Sequence, residues 1–216
     1  MNDLTVIFLT ANKVPEQWAE YHKQVLLDAI GDTPVISISF KPMDFGTNLI
    51  QTDYCITNIY RQILRGAELA TTPYVAIVED DTLYPEKHFE FRPPDGKYGF
   101  NLSRWCIQGW RRPEWAFFYL KSKPANGAMI APRELLVREL KGRFASDPNL
   151  SLVKNIKEVG RIGGWVGFYT NVPIIAFHHQ TSVDPFQQRK RKSLEPIKAY
   201  ALPSWGTATE VRNKWK

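Results

Sequence analysis

Three acids stand in a row at Glu79-Asp80-Asp81, directly behind the apolar run Tyr74-Val75-Ala76-Ile77-Val78. Adjacent carboxylates repel one another unless water, a cation or a basic side chain offsets them. A hard divalent ion such as Mg²⁺ or Mn²⁺ takes oxygen ligands and can bridge a protein carboxylate to a diphosphate. The triplet can also be read as a polar turn. Its place behind a buried strand, where open α/β sheets bind ligands, favours the metal-anchoring reading. His178-His179 follow the run Val172–Phe177 in the same way. They can complete a metal shell begun by Asp81, or form a surface pair. Asp147 precedes Pro148, which predicts an N-cap with proline at the first helical position. A carboxylate held in a cap is also a candidate general base. Between Arg104 and Tyr119 aromatics crowd together, with Trp105, Trp110, Trp115, Phe117, Phe118 and Tyr119. They are either core or a stacking platform for a sugar ring or base, with Arg104, Arg111 and Arg112 beside phosphates.

The elements that must position these residues follow from apolar runs and helical spacing. Leu4–Thr10 reads as a buried strand, and Pro15 opens a helix through Ile30 with Trp18, Tyr21, Val25, Leu26 and Ala29 on one face. Val35–Phe40 is a second strand, residues 41–53 a loop, Tyr54–Ala70 a helix, and Tyr74–Val78 a third strand. Met129–Ala131 reads as a strand followed by a helix from Pro132 to about Leu140. A further helix is predicted from Pro148 to Gly160, and Val172–Phe177 is a last strand. The β-α-β-α-β opening predicts an α/β fold with a mostly parallel sheet flanked by helices.

With 216 residues, 44% of them hydrophobic and 23% charged, the chain has the composition of one globular domain. Two cysteines, Cys55 and Cys106, cannot build a disulfide framework and read as free thiols in a reducing compartment. No basic stretch precedes a long apolar run at the N-terminus, and no apolar stretch is long enough to span a membrane. A cytoplasmic location is therefore expected. The formal charge is +6, and the excess lies within residues 186–216, which hold eight basic and two acidic residues. Such an end suits phosphates, nucleic acid or an anionic surface, or is a solvated end. The expected organisation is a catalytic domain at 1–180 and a basic C-terminal extension at 181–216.

The segment from Thr71-Thr72-Pro73-Tyr74 through Glu79-Asp80-Asp81 resembles the strand and DxD motif of GT-A-fold, nucleotide-sugar glycosyltransferases, with Glu in the first acidic position. Two more segments are similar to the family-2-like branch. Asn126-Gly127-Ala128-Met129-Ile130-Ala131-Pro132 resembles its small-residue strand on the acceptor side. Asp147-Pro148-Asn149-Leu150-Ser151-Leu152 resembles the helix whose Asp is the base in inverting members, with Ser146 where a Glu is usual. The resemblance implies a GT-A (Rossmann-like) single domain and a metal-dependent transfer of a sugar from a nucleoside diphosphate, UDP-sugar favoured, to an acceptor hydroxyl. It implies Mn²⁺ or Mg²⁺ at Glu79 and Asp81, with His178 or His179 as a late ligand. Thr10, Ala11, Asn12 and Asp80 would then border the nucleotide, Arg189 and Lys190 the diphosphate, and Asp147 would be the base. Trp105, Trp110, Arg111, Asn126 and Gly127 would face the acceptor. That acceptor is expected to be a hydroxymethylated pyrimidine in DNA, reached through the basic tail, or a glycan or lipopolysaccharide. A nucleotidyltransferase of related fold and a non-enzymatic nucleic-acid-binding protein are the rival readings. Thr10-Ala11-Asn12-Lys13-Val14-Pro15 lacks the glycines expected of the former.

Overall fold

The structure is a computed structural model that describes residues 3–53, 58–108, 116–148, 164–177 and 197–215. The chain opens with β1 (Leu4–Leu9), α1 (Glu16–Ile30), β2 (Val35–Ser39), β3 (Thr47–Ile50), α2 (Asn58–Leu69) and β4 (Tyr74–Glu79). It continues with β5 (Thr82–Leu83), the short α3 (Glu86–Phe89), β6 (Tyr98–Asn101), β7 (Arg104–Gln108) and β8 (Phe117–Leu120). A single 3₁₀ turn at Asn126–Ala128 leads to β9 (Met129–Pro132) and α4 (Arg133–Ser146). The last described elements are β10 (Trp165–Phe168), β11 (Ile174–Phe177), β12 (Lys198–Ala199), β13 (Ala201–Leu202), β14 (Gly206–Thr207) and α5 (Ala208–Asn213).

The larger sheet has the order β10-β6-β9-β4-β1-β2-β3. β1 pairs parallel with both β2 and β4, and β2 with β3, while β9 runs antiparallel to β4 and β6. The fold is thus mixed α/β, with a mostly parallel sheet between helices. Strands buried on both faces read as near-continuous apolar runs, and β1 is buried along its whole length, its one polar residue, Thr5, hydrogen-bonded to the Thr72 hydroxyl. Its alternate residues feed two cores. Ile7 and Leu9 join Val75 and Ile77 under Ile63 and Ala67 of α2 and Leu136 and Leu140 of α4. Val6 and Phe8 join Ala76 and Val78 under Leu26 and Ala29 of α1.

Several expectations change. Residues 41–53 are not all loop, because β3 adds a fourth parallel strand. It is a half-exposed edge strand, so it carries no apolar run to betray it. Gly46 turns the chain into it at φ +64°, where a Cβ would lie 2.2 Å from the Val35 carbonyl oxygen. α4 runs on to Ser146 because Arg143 pairs with Glu139 and Phe144 packs on the α2 core. The helix predicted from Pro148 and residues 54–57 of the second helix lie outside the described residues.

A second sheet, β12-β8-β7-β11-β5, holds the aromatic segment. Residues 197–215, at the end of the expected basic extension, belong to the folded body. β12 pairs with β8, and Leu202, Ala208 and Val211 enter a third core with Trp18, Ile107, Phe118 and Phe177. Trp215 stacks on Phe177 with ring centroids 5.0 Å apart. Burial of these apolar groups outweighs solvation of the interspersed Lys and Arg, whose charged ends can stay in water.

Candidate functional site at the carboxyl edge of the sheet

β1, β2, β3 and β4 all point the same way, so their carboxyl ends line one edge, where a doubly wound sheet binds ligands. Thr10 follows β1 there and is buried. Its hydroxyl donates to Asp80 Oδ2 at 2.5 Å and accepts the Asn12 N–H at 2.8 Å. Asn12 sits at φ +52°, in the left-handed region, and its Oδ1 accepts the N–H groups of Phe40 and Lys41 at the end of β2. Thr10, Ala11, Asn12 and Asp80 are therefore brought together across 70 residues of sequence.

The backbone of the acidic triplet is held at every residue. The Glu79 N–H donates to the Tyr84 hydroxyl (3.0 Å) and the Asp80 N–H to the Leu9 carbonyl (3.2 Å). Trp18 Nε1 donates to the Asp80 carbonyl (2.7 Å), and the Phe177 N–H to the Asp81 carbonyl (2.8 Å). Asp81 Oδ1 accepts the Thr82 hydroxyl at 3.0 Å. The three side chains are half-buried, neither sealed in a dry core nor fully solvated.

The Asn126–Ala128 turn closes on this group. The Tyr84 hydroxyl, having accepted from Glu79, donates to the Gly127 carbonyl at 2.7 Å. Gly127 lies so close to Glu79 that a Cβ would come within 2.6 Å of Glu79 Oε2. Asn126 Oδ1 is buried without a hydrogen-bond partner. Burial, and next the Glu79 charge, push the Tyr84 hydroxyl well above the ordinary tyrosine range, so it stays a neutral bridge. His22 of α1 contacts the Thr82 carbonyl at 2.7 Å. Its burial lowers the imidazole to about 4 against the pull of that carbonyl and of Asp81.

Asp147 caps the carboxyl end of α4, its N–H donating to the Arg143 carbonyl. It thus sits beside the terminal carbonyls of α4, which carry partial negative charge, while the helix whose N-cap it is expected to form lies outside the described residues. Arg61, near the start of α2, donates to the Pro148 carbonyl at 2.6 Å. Since α2 starts at the carboxyl edge, this contact puts Asp147 at the same end of the sheet as the acids.

Trp105 packs against the third core, so of the two readings of the aromatic segment the core one holds for it. His178, His179, Arg189, Lys190, Trp110 and Arg111 lie outside the described residues. The Phe177–Asp81 bond does start the histidine pair's segment beside Asp81. Among the described residues no three His, Cys, Asp or Glu side chains cluster as a metal site, and no helix is long and apolar enough to cross a membrane.

Local sequence missed a buried amide network. Gln51 Oε1 accepts from Asn58 and Gln62, and Gln51 Nε2 reaches the Thr10 carbonyl at 3.4 Å. Tyr84 was missed too. Neither has a periodic signature. Buried polar side chains are recognised by the partners that satisfy them, and these partners are distant in sequence.

No protein-family model matches the chain, and no curated protein does. Solved structures similar to it include the glycosyltransferase GlyE of Streptococcus pneumoniae TIGR4, at TM-score 0.48 and 10% identity over 76% of this chain. The chain spans only 44% of that protein's length. HddC from Yersinia pseudotuberculosis matches at TM-score 0.47 and 11% identity, covering 80% of this chain and 92% of that one. A glycosyltransferase involved in glycosylation of the major capsid of PBCV-1 matches at TM-score 0.43 and 10% identity, again covering 80% and 92%.

Proposed function

We propose that the chain is a metal-dependent glycosyltransferase that moves a sugar from a nucleoside diphosphate, UDP-sugar in the favoured case, to an acceptor hydroxyl. One observation carries the reading. The carboxyl edge gathers the Thr10–Asn12 loop, the acidic end of β4 and the Asn126–Gly127 turn into one half-buried group with a pinned backbone. Loop, acids and turn are what a base, a diphosphate and a sugar require in that order.

The carboxylates suit Mn²⁺ or Mg²⁺. Such ions are commonly held by one or two carboxylates with substrate phosphates completing the shell, not by an all-protein cage. Glu79 and Asp81 would hold the ion. When bound, the ion would supply Lewis-acid stabilisation of the charge on the leaving diphosphate. The protein's own residues do the rest. Thr10 orients Asp80, and Thr10, Ala11 and Asn12 border the nucleotide. Asn126 Oδ1 offers an acceptor to a sugar hydroxyl. Asp147 takes the acceptor's proton as its oxygen attacks the anomeric carbon. From sequence alone, His178 or His179 adds a ligand, and Arg189 and Lys190 meet the diphosphate.

The test is a UDP titration of the full chain with and without Mn²⁺, for wild type and Asp81→Ala. Metal-dependent binding lost in the variant supports the reading, and metal-independent binding refutes it. A donor screen followed by nucleoside diphosphate release, with hydroxymethylated DNA and glycans as acceptors, then identifies the transfer. Pyrophosphate release in its place would favour a nucleotidyltransferase.

A further inference from the structure

Two aromatic rings stand open to water at one margin of the larger sheet. Trp165 of β10 is 38% exposed, and Tyr169, directly after the strand, is 71% exposed. β10 is the last strand on that side among the described residues. The Trp165 ring meets Phe100 edge-on, with ring centroids 6.0 Å apart. Gly167 lies between the two exposed residues. A Cβ there would run into the Leu102 side chain and lie 3.5 Å from the Trp165 ring. The missing side chain lets Trp165, the Gly167 backbone and Leu102 meet as one continuous apolar ledge.

The sheet register relates this ledge to the acids. Ala76, Ile130, Gly99 and Val166 form one row across β4, β9, β6 and β10. β4, β6 and β10 run the same way, so Glu79 and Tyr169 each lie three residues past that row, at the carboxyl edge. They are three strands apart, about 14 Å at the usual strand spacing. Their faces agree as well. Gly167 pairs with Phe100, and Phe100 and Ile77 both lie in the core under α2 and α4. Two residues further along each strand, alternation puts Tyr169, Leu102 and Glu79 on that same side of the sheet. α4 packs on this side through Leu136 and Leu140 and ends at Asp147, the base proposed above.

The chemistry of the strands between ledge and acids selects the occupant. Residues 98–103, 124–132 and 164–177 contain no Asp, Glu, Lys or Arg. Lys97 stands beside Gly164, at the end of β10 away from the acids. Nucleic acid is held chiefly through Lys and Arg on its phosphates, and these strands offer neither. A sugar ring carries an apolar C–H face that packs on an aromatic ring, with hydroxyls at its rim. Tyr and Trp supply such contact area at small entropic cost, and an edge strand leaves N–H and C=O groups open to hydroxyls. We propose that Tyr169, Gly167 and Trp165 form a stacking ledge for an uncharged glycan, whose acceptor hydroxyl reaches the acids along the carboxyl edge. This assignment rests on the transferase reading, and it narrows the acceptor to a neutral oligosaccharide in place of DNA.

The test measures binding of the full chain to an array of neutral and acidic oligosaccharides and to a hydroxymethylated DNA duplex, at low and high salt. Wild type, Tyr169→Ala, Tyr169→Phe and Trp165→Ala are compared, with melting temperature as the check on folding. Wild-type binding to a neutral oligosaccharide, insensitive to salt, weakened about fivefold or more in each alanine variant and kept in Tyr169→Phe, supports the ledge. Tyr169→Ala should melt close to wild type, as expected for an exposed side chain, so that its loss of binding is local. The assignment is overturned if no neutral oligosaccharide binds, if binding is unchanged in either alanine variant, or if Tyr169→Phe loses as much as Tyr169→Ala. Salt-sensitive DNA binding that depends on Tyr169 overturns it too. So does a dimer in sedimentation that Tyr169→Ala dissociates, because a second copy then covers the ledge. Mn²⁺-dependent UDP binding is measured in parallel on wild type and Asp81→Ala. If UDP binding needs both Mn²⁺ and Asp81 while no neutral glycan binds, the ledge alone is wrong. If a glycan binds through Tyr169 while UDP binding never depends on Mn²⁺ and Asp81, the transferase reading is what fails.

Discussion

Gly127→Ala is the sharpest probe of the acidic site. The added Cβ would lie 2.6 Å from Glu79 Oε2, 2.7 Å from its Cδ and 3.1 Å from its Cγ. Non-bonded heavy atoms rest at about 3.5–4.0 Å, so the Glu79 carboxylate must withdraw by about 1 Å. The obstacle is the end of a flexible side chain, so the fold can yield. Overpacking costs about 1–3 kcal/mol, and the reduced freedom of the unfolded chain returns about 0.4–1 kcal/mol. A net loss of about 1–2 kcal/mol follows, a fall of about 2–8 °C in melting temperature for a domain of this size. Function should suffer more, because a displacement of about 1 Å at a reacting centre can cost about 10²-fold. Thermal unfolding and Mn²⁺-dependent UDP binding are measured on Gly127→Ala, Glu79→Ala and the double variant. If the methyl acts through Glu79, the double variant is more stable than the two single effects predict. Additive stability losses, or undiminished UDP binding in Gly127→Ala, would refute the reasoning.

Three further outcomes are expected. Tyr84→Phe leaves the Glu79 N–H and the Gly127 carbonyl without their shared partner, costing about 2–4 kcal/mol in urea unfolding. An unchanged midpoint would show that the bridge contributes nothing. Thr10→Val removes the donor to Asp80 and the acceptor of the Asn12 N–H, costing about 1–3 kcal/mol and weakening UDP binding. Binding at wild-type strength would separate that loop from the nucleotide. Burial lowers His22 to about 4 and His88 to about 3. Both are neutral when folded but take up protons near pH 6.5 when unfolded. Their contribution is therefore complete above about pH 6.5 and falls as pH drops toward 4, by about 3 kcal/mol for His22. Denaturation followed between pH 7 and 4 should show this decline, and His22→Gln should flatten it. A slope identical to wild type would rule His22 out as its source.

The β-α-β-α-β opening and the acids behind β4 were legible as a string of residues, because each depends on local pattern. Strands buried on both faces read as near-continuous apolar runs, and α1 must present one apolar stripe to the sheet, so Leu4–Leu9, Tyr74–Glu79 and Glu16–Ile30 announce themselves. Edge strand β3 and two-residue β5 carry no such pattern. They exist because a neighbouring strand offers a hydrogen-bond ladder. The aromatic segment could be core or platform until the pairing of β7 with β8 and β11 set which residues face which side. Alternation then turned Trp105 toward the third core. Thr10 meets Asp80 across 70 positions and Tyr84 meets Gly127 across 43. Contacts at that separation are made by sheet register and close packing, and no run of neighbouring residues encodes them.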